Sequence, residues 1–187
     1  MFDQARARVE YDVIRTERRL HAYEYVQALQ VGHYDAICSV SGDGLLHEII
    51  NGLLRRSDWE TMKTSLVIGG IPGGTGNGLI KSLLASVQED YGVQEAAYLV
   101  LRGQKTHIDM TKLELEYEAK PVFSFLSVAW ATIADIDLNS EVLRCLGALR
   151  FDIWGAWRVL SLLECQGTLD MQDAHLMTHK ADRPDAN

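Results

Sequence analysis

The tetrapeptide Ser41-Gly42-Asp43-Gly44 lies between an apolar run, Asp35–Val40, and a stretch with Leu45, Leu46, Ile49, Ile50, Leu53 and Leu54 at helical spacing. The glycines therefore fall on a strand-to-helix turn, where a residue without a Cβ lets a ligand approach the backbone. The amide groups that open the following helix favour an anion such as phosphate. Asp43 puts a carboxylate at the same place. Carboxylate and phosphate repel unless Mg²⁺ stands between them or the carboxylate faces a hydroxyl that must lose its proton, and both situations belong to phosphoryl transfer. A tight turn that happens to carry an aspartate gives the same four residues. Two named phosphate motifs are excluded. The dinucleotide pattern needs glycine where His47 stands, and the P-loop needs a Gly-Lys pair that the chain lacks.

The order of segments sets the fold class. Val9–Ile14 reads as a strand, and a helix follows to about Leu29 with Thr16 as its N-cap. Asp35–Val40 is the next strand, with a helix to about Arg55. Ser65–Ile68 leads into Gly69-Gly-Ile-Pro-Gly-Gly-Thr-Gly-Asn-Gly78 and then Leu79, Ile80, Leu83 and Leu84 at helical spacing. Another helix spans about Val93–Leu101 and stops at Gly103. Strand and helix in alternation predict an α/β domain, a mainly parallel sheet with flanking helices. Both glycine-rich turns then leave strands at the edge where such sheets bind ligands.

The pattern changes near residue 105. Ile108–Tyr117 alternates as a half-buried strand does, Glu118–Pro121 is a hairpin turn, and Val122–Trp130 is a second strand. Asp135, Asp137 and Glu141 form an acidic corner before a helix with Leu143, Leu146 and Leu149 inward, and Phe151–Leu163 is aromatic and aliphatic. The expected organisation is an α/β nucleotide-binding catalytic domain over 1–105. An incomplete β-rich lipid-binding domain with two helices follows over 106–187, and its tail from Met171 is polar and poorly ordered.

Composition narrows the partners. A net charge of −8 without a basic run argues against nucleic acid. Three cysteines without C-x-x-C read as reduced thiols of a cytoplasmic protein. No apolar run approaches a membrane span, and the six histidines show no metal spacing.

Several stretches carry a family resemblance: Ser41–Glu48, Asn51-Gly-Leu, Asp58-Trp-Glu-Thr61, Ile71-Pro-Gly-Gly-Thr-Gly-Asn77, Thr16-Glu-Arg-Arg19 and Ser127–Leu138, with Glu141 through Phe151. Together they resemble the lipid kinases with a diacylglycerol-kinase-type catalytic domain, and among these the sphingosine kinases, from about Val13 to Leu163. The resemblance implies ATP-dependent phosphorylation of the primary hydroxyl of a sphingosine-like long-chain base, with ATP and Mg²⁺ as cofactors and peripheral contact with a membrane. A diacylglycerol- or ceramide-type acceptor and a non-catalytic fragment are the alternatives.

Residue by residue, the resemblance makes Asp43 the catalytic base. It places Thr16, Ser41, Gly42, Gly44, Gly74, Thr75, Gly76, Asn77, Arg144 and Arg150 at the nucleotide. It places Asp137, Ser127 and Ile133 at the lipid, with Thr132 where the family has a larger apolar residue. No protein ligand set for the metal is visible. The family's Asn-Pro-x-Gly-Gly turn would lie upstream of Met1 and its β-rich part would run past residue 187, so the resemblance implies a truncated chain.

Overall fold

The computed structural model describes residues 9–161, 164–168 and 170. It forms two compact units, Met1–Val128 and Ala129–Asn187.

The first unit is built on a parallel pair of strands. β1 (Ala36–Ser41) pairs with β2 (Val67–Pro72) in a register that sets Cys38 beside Gly69 and Ser41 beside Pro72. Between them run α2 (Asp43–Leu54) and α3 (Trp59–Ser65), preceded by α1 (His21–Ala28) and followed by α4 (Gly78–Ser86) and α5 (Val93–Arg102). Successive strand residues face opposite sides of a sheet, and two adjacent glycines in β2 show what covers each side. A Cβ on Gly69 would meet Val100 of α5, whereas one on Gly70 would lie 2.4 Å from Ile80 Cδ1 of α4. Helices thus flank the strand pair on both faces, as the alternating segments require.

α2 serves two cores. Ile49 and Leu53 pack with Ala22 and Val26 of α1, with Leu29 just past its end and with Met62 and Leu66, while Leu46 packs with Leu79, Ile80, Leu84 and Ala96. A short hairpin, β3 (Thr111–Leu113) and β4 (Val122–Ser124), pairs antiparallel in the same unit. Buried Asn51 fastens it to α2. Its amide donates to the Phe123 carbonyl and accepts from the Phe123 N–H, both at 2.8 Å, as a neighbouring strand would. Arg55 adds a bond to the Pro121 carbonyl at 2.7 Å.

The second unit holds α6 (Thr132–Asn139), a 3₁₀ segment (Ser140–Leu146) and α7 (Leu149–Leu160). Asp135 joins α6 to α7. Its carboxylate accepts from Arg158 Nη2 at 2.6 Å and from Trp154 Nε1 at 3.2 Å, and also from Asn139 on its own helix.

The α/β class and the parallel pairing agree with the sequence, but several elements differ. Val9–Ile14 is not a strand, since among the described residues no strand edge pairs with it, and its apolar side chains are exposed. Thr16 is not a helix cap: α1 begins at His21, and its N-cap is Leu20. The residues between are closed into a turn by the Glu17 N–H donating to His21 Nδ1 at 3.1 Å and by the Arg18–Glu24 ion pair. The strands expected over 108–117 and 122–130 shrink to three residues each. The acidic corner is helical. The helix expected from Glu141 is instead a 3₁₀ segment with Leu143 off helical angles, separated from α7 by Gly147 at φ +59°. Helix α3 has no counterpart among the elements expected from the sequence. The polar tail from Met171 lies outside the described residues.

Candidate active site

The two glycine-rich turns leave β1 and β2 at the same edge and lock onto each other. The Gly73 N–H donates to the Ser41 carbonyl at 3.1 Å, and the Asp43 N–H donates to the Gly76 carbonyl at 3.0 Å. The backbones are in contact: a Cβ on Gly42 would stand 2.6 Å from the Gly76 oxygen. No side chain fits between them, so the glycines at 42 and 74 are required by close approach.

Asp43 is the centre of this contact. It opens α2, yet its carboxylate serves α4. Oδ2 accepts from the Gly78 N–H at 2.6 Å and Oδ1 from the Leu79 N–H at 3.2 Å. These are amides that the first turn of a helix leaves without intrahelical partners, and a carboxylate there is favoured by the helix dipole. The carboxylate is thus fixed in direction by two N–H groups at the start of α4. Each oxygen keeps a further lone pair, available to a hydroxyl.

The other side chains of the turns are small and local in their bonding. Ser41 Oγ lies 2.7 Å from the buried Ser39 Oγ and donates to the Gly42 carbonyl. Asn77 closes its own loop, accepting from the Gly74 N–H at 3.3 Å and donating to the Gly74 carbonyl at 2.6 Å. Gly44 has open space where a Cβ would stand, and residues 73–76, Thr75 among them, are exposed. On α2, one turn beyond Asp43, desolvation and the nearby Arg55 charge hold the His47 imidazole below its usual pKa.

Thus Ser41, Gly42, Asp43, Gly44, Gly74, Thr75, Gly76 and Asn77 come together in one pair of turns. Thr16 is exposed on the segment before α1, and Ser127 is exposed after β4, its carbonyl accepting from Ser124 Oγ. Ile133, Asp137, Arg144 and Arg150 belong to the second unit. Ile133 and Asp137 are exposed on α6 and Arg144 lies in the 3₁₀ segment. Arg150 is buried at the start of α7, donating to Glu141 at 2.6 Å with its guanidinium 4.4 Å from the Phe151 ring centroid.

The turns suit a phosphate ester, with exposed backbone, little side-chain bulk and a helix start beside them. For a divalent cation, no group of three or more His, Cys, Asp or Glu among the described residues could form a cage. Mg²⁺ bound largely through substrate phosphates and water needs no such cage. The residues therefore fit a nucleotide that brings its metal with it.

A parallel strand pair with helices on both faces and two interlocked glycine turns at its carboxyl edge defines an α/β domain with those turns at the edge where such sheets bind ligands. The chain belongs to the diacylglycerol kinase catalytic domain family, whose match covers residues 3–113. Most of its length is also similar to sphingosine kinases. It is 40% identical over 163 residues to sphingosine kinase 1 of Arabidopsis thaliana, covering 87% of this chain and 33% of that protein. It is 37% identical over 172 residues to sphingosine kinase 2 of Homo sapiens, covering 87% and 25%, and 36% identical over 170 residues to sphingosine kinase 1 of Homo sapiens, covering 88% and 44%. The chain thus spans less than half the length of these relatives. Among the described residues no helix is long and apolar enough to cross a membrane.

Proposed function

We propose that the chain carries the catalytic turns of an ATP-dependent lipid kinase that phosphorylates the primary hydroxyl of sphingosine-like long-chain bases. The observation that carries this reading is the Asp43 carboxylate, oriented by the first two amides of α4 with a lone pair left on each oxygen. The similarity to sphingosine kinases over 87% of the chain supports the choice of acceptor.

On this reading the nucleotide part spans 1–105 and the lipid part 106–187. Asp43 takes the proton of the acceptor hydroxyl. Thr16, Ser41, Gly42, Gly44, Gly74, Thr75, Gly76 and Asn77 cradle the nucleotide, with Arg144 and Arg150 at its phosphates. Asp137, Ser127 and Ile133 receive the lipid head group and the start of its chain. Mg²⁺, when bound with ATP, neutralises phosphate charge. What the protein supplies is position and a fixed proton acceptor. The enzyme works in the cytoplasm at a membrane surface, where its substrate resides. A diacylglycerol acceptor is the second reading, favoured by the family that matches residues 3–113.

The test is phosphorylation of sphingosine, ceramide and diacylglycerol from labelled ATP, by the parent and by Asp43→Asn. Sphingosine should be the preferred acceptor. Asp43→Asn should lower turnover by roughly a hundredfold or more, the usual weight of a general base, while ATP binding changes little. Turnover by Asp43→Asn equal to that of the parent would remove Asp43 from the mechanism, and preference for diacylglycerol would establish the second reading.

A further inference from the structure

Ser39 is a hydroxyl in apolar surroundings. It is 3% exposed on β1 and stands opposite Gly70 in the register of the strand pair. That is the sheet face covered by Ile80 of α4 and Leu46 of α2. A hydroxyl buried there needs a partner. Among the described residues its one hydrogen-bond partner is Ser41, two positions on and so on the same face, with the two Oγ atoms 2.7 Å apart. Ser41 is half-buried and reaches one further acceptor, the Gly42 carbonyl at 3.0 Å. Only one arrangement bonds both hydroxyl protons. If Ser41 gave its proton to Ser39, the buried Ser39 proton would have no acceptor. With Ser39 donating to Ser41 and Ser41 donating to the Gly42 carbonyl, neither proton is left unpaired.

We propose that Ser39 is a positioning residue: it fixes the Ser41 hydroxyl as a hydrogen-bond acceptor, so that this place in the first glycine turn takes a hydroxyl of the ligand and not a phosphate oxygen. A hydroxyl oxygen has two lone pairs. On Ser41 one receives the Ser39 proton and the other is left for the ligand. A phosphate oxygen brings no proton and would meet that lone pair with its own. The phosphates are then left to the backbone amides of the turns and to the helix start beside them. The ligand hydroxyl belongs to the ribose of the nucleotide or to the lipid, and the chemistry of the contact is the same. The ligand contact rests on the reading of the turns given above; the pairing of the two serines does not.

The test uses the full chain with Ser39→Ala, Ser41→Ala and the double variant. Thermal unfolding without ligand reads the pairing. Ser41→Ala leaves the buried Ser39 hydroxyl unpaired and should lower the melting temperature, and adding Ser39→Ala should restore part of that loss. Titration reads the acceptor, with MgATP, its 2′- and 3′-deoxy forms, magnesium tripolyphosphate, sphingosine, and sphingosine without its secondary hydroxyl as probes. The parent should bind one of the hydroxyl ligands about three- to tenfold more tightly than its deoxy form. Which deoxy form loses affinity tells ribose from lipid. Ser39→Ala should narrow that gap and leave the deoxy form bound as in the parent, which a general packing defect would not do. Tripolyphosphate, which carries phosphate and no ribose, should bind the parent and Ser41→Ala alike. Additive losses of melting temperature in the double variant overturn the pairing. No gap between hydroxyl and deoxy ligands, an equal loss for every ligand in Ser39→Ala, or weaker tripolyphosphate binding by Ser41→Ala overturns the acceptor role. Should Ser41→Ala fail to fold, Ser39→Ala and the deoxy ligands decide. A parent that binds neither MgATP nor sphingosine overturns the proposed function, and the ligand contact with it, while the unfolding data still decide the pairing.

Discussion

A Cβ on Gly74 would lie 2.5 Å from both Cα and N of Gly42. Two backbones that close leave no room for the neighbour to yield, since no flexible side-chain end is involved. Gly74→Ala must therefore push the second turn off the first and disturb the amides that orient Asp43. The expected cost is about 1–3 kcal/mol of stability, as for overpacking elsewhere, with ATP affinity lowered roughly tenfold or more, about 1.4 kcal/mol. Thermal denaturation and ATP titration measure the two. Gly44→Ala is the control, because nothing lies within 4 Å of where its methyl group would stand, and it should be the milder change in stability. A Gly74→Ala variant with the melting temperature of the parent would show that the turns do not interlock in solution.

Asn51 gives a second expectation. Its side chain is 4% exposed and completes both backbone groups of Phe123. Asn51→Leu keeps the size and removes both partners. Each buried group left unpaired costs about 1–3 kcal/mol, so the urea midpoint should fall markedly. Hydrogen exchange at Phe123 should rise more than exchange in β1 or β2. Uniform loss of protection across the first unit would argue that Asn51 acts on the core rather than on the hairpin.

Much of this architecture is readable in the sequence, for physical reasons that particular residues make plain. Leu45 to Leu54 and Leu79 to Leu84 announce helices because their apolar spacing is long and regular, and the glycine turns announce themselves by composition. Both sit next to short apolar strands, so their convergence on one edge follows from parallel pairing. Interactions between distant segments are not readable in the same way. Thr16 has the local chemistry of a cap, but the helix start is moved to His21 by His21 itself, by Glu24 and by Glu48 from α2. The acids of α6 obscure its helical repeat, although Ile133 and Ile136 stand three apart. The same is true of α3, where Trp59 and Met62, with Leu66 just past its end, carry the period and only Met62 and Leu66 are buried. Within the site, the turn residues are legible as a group. That Asp43 caps α4 is not, because the capped helix starts after a separate strand and loop.

Asp135 provides a pH-dependent expectation for the second unit. Hydrogen bonding from Arg158, with further bonds from Trp154 and Asn139, holds its carboxyl below the usual carboxylate range. A carboxyl whose folded-state pKa is lowered contributes stability that is fully present above its unfolded pKa, near 3.9, and is lost as pH falls through the folded value. The parent should therefore lose stability as pH falls below the unfolded value and through the lower folded one. Asp135→Asn should be less stable than the parent at neutral pH and should show a flatter dependence over that acid range. Circular dichroism of chemical unfolding at several pH values measures this. Parallel pH curves for parent and variant would show that Asp135 does not titrate against Arg158.

Asp135 and Asp137 stand two residues apart on α6, and their surroundings assign them different work. Asp135 is occupied by Arg158, Trp154 and Asn139. Asp137 is exposed, and among the described residues its carboxylate takes no hydrogen bond; only its backbone carbonyl is engaged, by Ser140. On the proposed reading, a ligand ammonium would meet a carboxylate without a side-chain partner among the described residues at Asp137 and one already engaged by Arg158 at Asp135. A charge-assisted contact is worth about 1.5–3 kcal/mol, or roughly ten- to a hundredfold in affinity. Asp137→Ala is thus expected to weaken sphingosine binding by that factor, with ATP affinity and melting temperature close to those of the parent. Asp135→Ala should instead lower the melting temperature. Ceramide, whose nitrogen is an uncharged amide, should be a poor acceptor for the parent and should respond little to Asp137→Ala. Steady-state phosphorylation of both lipids by both variants separates the cases. Equal use of ceramide and sphingosine by the parent, or an Asp137→Ala variant with unchanged sphingosine affinity, would place the ammonium site elsewhere.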